Sequence, residues 1–340
     1  MSTECSHLLQ VRRVPPNMKE DLNVLLDLKV PAVNIAKYIR ETSNHLLTTK
    51  DIHNIRTASR SLDTEEDKVL SILEEYLAND NLVRVFVNEK DEIEAIHIQD
   101  KEMQGLVESY PEVMFLDTTH NINRSHLKLT TIMIIDRNGN GQPVAQAFLT
   151  RERKESLVNF MEVFKEANPS TEGTSVFIID KDFNEFDVIS DLWPTSRIFF
   201  CLFHLLQTFG RKIHKLHCGN KKKEILRELC QKLAYAQSEQ DFKKYYLKLE
   251  ATNVPEFMSY FDNNWMNIRE KWTLYERNKV RTFGHKTTNV IESYHQKVKK
   301  NLHANISFSD CLKEVLSWNS NKHLQLHPEL PVLREFHSCA

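Results

Sequence analysis

Three acidic residues hold the chemistry this sequence could do. Asp117 ends the apolar run VMFLD (113–117), Asp180 ends SVFIID (175–180), and Glu292 lies in KTTNVIESYHQKVKKNL (286–302), where apolar residues recur at helical spacing. If the two runs are neighbouring parallel strands, their terminal carboxylates emerge side by side. Two such groups at contact distance repel, and one keeps a proton unless a cation neutralises both. A hard divalent ion, Mg²⁺ or Mn²⁺, meets that need through oxygen ligands. On the 286–302 helix, Val290, Ile291, Tyr294 and Val298 form the packed stripe. Glu292, His295 and Lys299 follow on a neighbouring face with Asn289 one turn earlier, so Glu292 can complete the metal site while Lys299 and Lys300 meet phosphate. The chemistry of such a site is two-metal phosphoryl transfer, one ion activating the attacking oxygen and the other stabilising the leaving one. Spacing alone leaves a plainer reading open, because aspartates at strand ends also serve as caps and turn formers.

The elements that must position these acids read as β-β-β-α-β-α-β. They are VMFLD, two strands in LKLTTIMIIDRNGNGQPVAQAFLT (127–150), a helix in SLVNFMEVFKEAN (156–168), SVFIID, a short helix within 183–193, and RIFFCLF (197–203). A three-strand meander followed by helical crossovers implies an α/β fold with a mixed five-stranded sheet covered by helices. Residues 205–285 read as almost wholly helical, with 16 Lys/Arg against 9 Asp/Glu, and a further helix is expected over 308–318. Upstream, residues 17–60 predict three short helices with inward stripes Leu22/Leu25/Leu26, Ala32/Ile35/Ala36/Ile39 and Ile52/Ile55. Pro31 suits the first position of the second helix and Thr48 or Thr49 the N-cap of the third. A helix-turn-helix module would present Lys50, His53, Arg56 and Arg60 to DNA; a small packing bundle with solvated charges is the plainer reading, because short trihelical patterns are common and the charge excess is slight. Residues 61–117 carry 16 Asp/Glu against 4 Lys/Arg and include a hairpin, NLVRVFVN with EIEAIHIQ.

The composition excludes several classes. Lys+Arg 45 against Asp+Glu 47 gives a net charge of −2, so the chain is neither a uniformly basic nucleic-acid binder nor an acidic tail. Seven scattered glycines leave no P-loop and no dinucleotide fingerprint. The N-terminal stretch has no apolar h-region and no run approaches 18 apolar residues, so neither export nor membrane insertion is expected. Six scattered cysteines without a C-x2-C fit a reducing compartment with free thiols. DRNGNG (136–141) matches half of a calcium loop, but its twelfth position is Ala147, so it reads as a hairpin turn. Cys201, His204, His214, His217 and Cys218 fit no standard zinc spacing. Cys201 and His204 are expected to pack where the last strand meets the next helix, with the imidazole hydrogen-bonded and no zinc. The run Lys221, Lys222, Lys223 reads as a nuclear-import hint and DNA contact, or as a solvated helix face.

At the acids the chain resembles the Mutator-like transposase superfamily, and more closely the vertebrate SWIM-type zinc finger proteins that look derived from such transposases. The family's D-x-T-[YH]-x-x-N is echoed by DTTHNIN (117–123), and its strand ending in Asp by SVFIID. Its C-x2-H is matched by Cys201 to His204 and its T-x-N-x-x-E-S-x-H by TTNVIESYH. The resemblance spans about residues 10–320 and implies an RNase H-like fold. Its Asp117-Asp180-Glu292 metal triad would bind Mg²⁺ or Mn²⁺, with Cys201, His204, Asn289 and His295 supporting the acids. The implied layout is a helical, helix-turn-helix-like segment (1–62), an acidic helix with the hairpin as lead-in (63–104), the RNase H-like domain (105–204 and 286–320) and a helical insertion (205–285). The family's N-terminal zinc module and its C-x-C…C-x-H finger have no counterpart in these residues, where only Cys5 and His7 stand near the start.

The expectation that follows is a domesticated, transposase-derived nuclear protein that binds DNA or protein and keeps a vestigial Asp-Asp-Glu metal site. Two alternatives stand beside it: an active Mg²⁺-dependent nicking and strand-transfer enzyme, and a non-catalytic interaction scaffold. DNA is the expected partner, membranes are not, and a homo-oligomer would be in keeping with transposases of this kind.

Overall fold

The computed structural model describes residues 14, 18–28, 30–43, 47–60, 64–89, 92–151, 153–302 and 306–326. The chain divides into two compact units, Met1–Ser71 and Ile72–Ala340. In the first, apolar residues three and four apart form α1 (Lys19–Asp27), α2 (Ala32–Ser43) and α3 (Thr49–Arg60). Leu22, Ala32, Ile35, Ala36, Ile39 and Ile52 are buried together with Met18 and Leu47, and Leu25, Leu26 and Ile55 pack at their margin, as the stripes predict. Pro31 stands just outside α2 instead of at its first position, its carbonyl accepting from Ile35 N at 3.2 Å. A reciprocal cap opens α3. Thr48 Oγ1 accepts from Asp51 N at 3.2 Å, and the Asp51 carboxylate accepts from Thr48 N at 2.8 Å. Lys50 and His53 are exposed on α3, while the side chains of Arg56 and Arg60 lie outside the described residues.

Helix α4 (Glu65–Ala78) leads into the second unit. There follow β1 (Leu82–Val87), β2 (Ile93–Gln99), α5 (Lys101–Ser109), β3 (Val113–Thr119), β4 (Lys128–Ile135), β5 (Gly141–Leu149), α6 (Lys154–Ala167), β6 (Val176–Ile179), α7 (Phe183–Leu192) and β7 (Arg197–Phe200). These strands form one sheet in the order β1-β2-β5-β4-β3-β6-β7. β3 pairs β6, and β6 pairs β7, in parallel; the other pairs are antiparallel.

The sheet therefore has seven strands, not five. The hairpin read as a separate lead-in joins it, Ala95 to Ile98 pairing with Leu149 to Gln146. The reason lies in β5, which is buried along almost its whole length. Left at an edge it would offer a row of unpaired backbone groups, and an isolated hairpin is at best marginal in water. Pairing the two removes both problems and moves the edge to β1, which exposes Arg84 and Val85. The last strand is also shorter than RIFFCLF, because Cys201 already caps the next helix.

That helix, α8 (Leu202–His214), opens the predominantly helical stretch α9 (Asn220–Ala234), α10 (Glu239–Glu250), α11 (Pro255–Asn264), a 3₁₀ turn (Met266–Lys271) and α12 (Leu274–Arg277). Phe209, Phe242, Phe257, Phe261, Trp265 and Trp272 are all buried there and pack ring against ring, with Trp265 and Trp272 nearly perpendicular at 6.5 Å. The chain returns to the sheet in α13 (Asn289–Asn301) and ends in α14 (Phe308–Leu326). Side-chain alternation along β3 separates the layers. Met114 and Leu116 join the core shared with α5 and α6, and Asp117 meets α13 on the other face. The 136–141 segment is the hairpin turn expected of it, with Asp136 accepting from Asn138 N and Asn140 N and Gly139 at φ +79°. Among the described residues no helix is long and apolar enough to cross a membrane. Cys201, Cys218, Cys230 and Cys311 are free thiols, as their scatter suggests.

One buried group of the hairpin gives a test of this joining. His97 is 2% exposed, lies between the rings of Phe86 and Phe160, and has neither ring nitrogen partnered. Burial pushes its pKa down from 6.5 to about 4. The folded state refuses a proton that the unfolded chain accepts near 6.5. Stability is therefore full above that pH and declines, by at most about 1.4 kcal/mol per pH unit, until the folded form protonates near 4. Replacing His97 with Phe should flatten this decline and add about 1 kcal/mol at neutral pH, since an apolar ring leaves nothing unsatisfied. Urea unfolding at neutral and mildly acid pH measures both effects.

Candidate functional site

Parallel pairing decides where two of the acids stand. Val113, Met114 and Phe115 pair with Val176, Phe177 and Ile178, and the same register carried two residues further brings Asp117 level with Asp180. Both are half-buried at the C-terminal ends of their strands. The end of β7 lies next to them through β6, where Cys201 N donates to Ile179 O at 2.7 Å. The first turn of α8 then lifts His204 over Asp180. Backbone closes the group from the far side: Leu202 N donates to Lys286 O at 3.0 Å and Thr288 N to Cys201 Sγ at 3.3 Å. These bonds hold the start of α13 against the start of α8.

The result is a compact polar cluster. His204 Nδ1 stands 2.5 Å from Asp180 Oδ1 and its Nε2 3.6 Å from Glu292 Oε1. Thr288 Oγ1 lies 3.0 Å from Glu292 Oε1 and 3.4 Å from Asp180 Oδ1. The hydrogen bond to Asp180, followed by that to Cys201, raises His204 to about 10, so the imidazole is a cation between two carboxylates. Cys201 is 1% exposed, and burial alone would raise its thiol. Hydrogen bonds from His204 and Thr288 outweigh burial and bring it below its usual value. Asp117, on β3, is reached from the helix that carries Glu292, one turn further along. His295 Nδ1 is 3.2 Å from Asp117 Oδ2 and its Nε2 3.0 Å from Thr131 Oγ1, on the residue of β4 paired with Asp117. Glu292 and His295, three residues apart on α13, thus reach the two aspartates in turn.

A small cavity of about 150 Å³ opens beside Asp180, Cys201 and His204, and Arg211 and Trp265 help wall it. Lys181 lies 3.8 Å over the Trp265 ring and donates to Asn264 O at 3.3 Å, fastening the helical stretch beside Asp180. Arg277 is 1% exposed beneath the cluster, over the Phe199 ring and donating to Phe200 O. Its Nε and Nη1 are unpartnered and burial brings it down to about 9. The buried Cys201 is the largest influence opposing that drop.

Two donor sets overlap on Asp180. Among the described residues, Asp180, Cys201 and His204 are the group of such ligands whose atoms all lie within 4.8 Å of one another. Asp180, Thr288 and Glu292 offer hard oxygens. His214, His217 and Cys218 do not join the first set. His204 is hydrogen-bonded at the strand–helix junction, and its partner is the carboxylate of Asp180.

Other nominated residues sit elsewhere. Asn289 is exposed and lines a different cleft, so it does not support the acids. Its place is taken by the buried Thr288 before it, a residue visible in TTNVIESYH but overlooked there because only the asparagine belongs to the motif. Lys221 and Lys222 are exposed at the start of α9, whereas Lys223 donates to His214 O at 2.8 Å and caps α8. Lys299 and Lys300 are exposed, and burial lowers Lys299 while Asp117 raises it. Arg211, Lys181 and Arg277 carried no signal in the sequence, since each is placed by a contact between remote segments.

Residues 74–199 match a family model described as Zinc finger SWIM domain-containing protein 1/3, RNaseH-like domain. Over that stretch the chain is similar to a SWIM-type zinc finger protein, the relative its motifs suggested. The matched residues run from α4 through β6 almost to the end of β7, and so include Asp117 and Asp180 and stop short of Cys201, His204 and Glu292.

Removing the cation at the centre of the cluster should be costly. His204→Ala leaves Asp180 and Glu292 facing each other, and we expect a loss of about 1–2 kcal/mol, discounted for partial exposure. Millimolar Mg²⁺ should return part of it in the variant and do less for the parent chain. Thermal melts of both proteins with and without the ion provide the measurement.

Proposed function

We propose that the protein is a transposase-derived RNase H-like protein that acts in the nucleus by binding DNA, and that its acids form a divalent-cation site no longer geared for strand transfer. The observation that supports this most is the set of in-chain partners the acids have acquired: His204 lies between Asp180 and Glu292, and His295 holds Asp117. The donors fit a cation, because two half-buried carboxylates already draw an imidazolium between them. Asp117, Asp180 and Glu292 would hold Mg²⁺ or Mn²⁺, which when bound activates an oxygen nucleophile and steadies the leaving oxygen of a phosphodiester. The residues themselves do the rest. Thr288 orients Glu292, His295 orients Asp117, and His204 must leave Asp180 before that carboxylate can ligate.

An active nicking enzyme is the second reading, favoured by the register that sets Asp117 level with Asp180. Binding to a protein partner instead of DNA leaves the scaffold reading. Plasmid nicking with Mn²⁺ separates the first two. We expect the same background rate from the parent chain, Asp180→Asn and Glu292→Gln; activity in the parent that both variants lose would establish the enzyme. DNA binding should weaken with salt, log affinity falling about 0.9 per unit log salt for each phosphate neutralised. No retention of DNA at low salt would leave the scaffold.

A further inference from the structure

The side of α13 away from the acids walls a second and larger opening. Asn289, Ser293 and Lys297 recur one turn apart there, and with the β4–β5 turn and α14 they enclose a cleft of about 580 Å³. That is the size of a small-molecule site. Gly141 permits the arrangement, since a Cβ at this position would come within 3.0 Å of Val290 Cβ.

The lining is cationic and incompletely satisfied. Lys297 and Lys322 both face the cleft, and among the described residues no carboxylate lines it. Asp136, close enough to influence Lys322, is already engaged by two turn amides and by Gln142 Nε2 at 2.8 Å. Burial first, and the charge of Lys297 next, bring Lys322 down to about 8. Its ammonium donates to Gly141 O. Two further polar atoms of the wall have no partner. Gln142 is 2% exposed and, with its Nε2 committed to Asp136, has its Oε1 unpaired; Trp318 Nε1 is likewise buried and unpaired. Both atoms are shut off behind the cleft surface, and an orphaned buried group costs about 1–3 kcal/mol, so a small turn of either side chain toward a ligand that offers a donor or an acceptor is favoured. The two ammonium groups call for it to be anionic, and the volume is far more than a bare oxyanion fills.

We propose that this cleft binds a nucleotide unit, with its phosphate between Lys297 and Lys322 and its base beside Trp318, donating an amino hydrogen to Gln142 Oε1. The unit could arrive free or as part of a single strand. The inference goes beyond the acid site and needs no metal.

Equilibrium dialysis of the full chain in EDTA with 2′-deoxyadenosine monophosphate tests it. We expect one molecule bound per chain, with inorganic phosphate and deoxyadenosine each competing at least about tenfold more weakly, a difference of 1.4 kcal/mol. Lys297→Glu, at an exposed position, should weaken binding about tenfold, and Lys322→Met should do the same. Asp180→Asn should leave it unchanged, which separates this cleft from the acid cluster. A short oligodeoxyadenylate binding more tightly than the mononucleotide identifies a strand as the source; equal or weaker binding identifies the free nucleotide. The proposal is overturned by no binding, by phosphate competing as well as the nucleotide, by affinity unmoved in both lysine variants, or by loss of binding in Asp180→Asn.

Discussion

The arrangement of the second unit depends on one polar rung across the middle of the sheet. Asp117, Thr131 and Gln146 are paired in turn across β3, β4 and β5. Helix α13 binds this rung with two successive side chains. His295 meets Asp117 and Thr131, while the Tyr294 hydroxyl accepts from Gln146 and donates to Asn319 Oδ1 of α14 at 3.0 Å. Asn319 Nδ2 returns a bond to Gln146 Oε1 at 2.8 Å. Buried polar groups tolerate no slippage, because a shift of one residue would strand several of them at once. Apolar packing alone would let a helix slide or turn; the rung fixes its rotation.

Once that rotation is set, the two faces of α13 acquire different work. Glu292 and His295 point to the acids, and Asn289, Ser293 and Lys297 to the cleft beside the β4–β5 turn. The far side of the acid cluster is held by the aromatic helical stretch, through Lys181 on Trp265 and Arg277 on Phe199. Arg277 is a costly group in such a place, with two unpartnered nitrogens in a buried setting. Cys201, hydrogen-bonded by Thr288 and His204, is the largest influence opposing the fall of the Arg277 pKa, with Tyr235 next.

Much of this was legible along the chain. The five central strands, the three N-terminal helices and the helix bearing Glu292 follow from apolar spacing, and the interval of 63 residues between the two aspartates survives as the offset of the β3–β6 register. What failed did so for identifiable reasons. The hairpin looked self-sufficient because strand patterns do not name their partners. Asn289 looked like a site residue because it is a motif letter, although its helical angle turns it outward.

The sequence by itself determined which stretches are strands and helices, and that each central strand of interest ends in an acid, since periodicity and side-chain type are local properties. Only the tertiary structure decided which charges meet. Whether Asp180 faces a metal, an imidazolium or a phosphate depends on contacts among segments that adjoin only after the sheet has formed, and electrostatic energies change within a few ångströms.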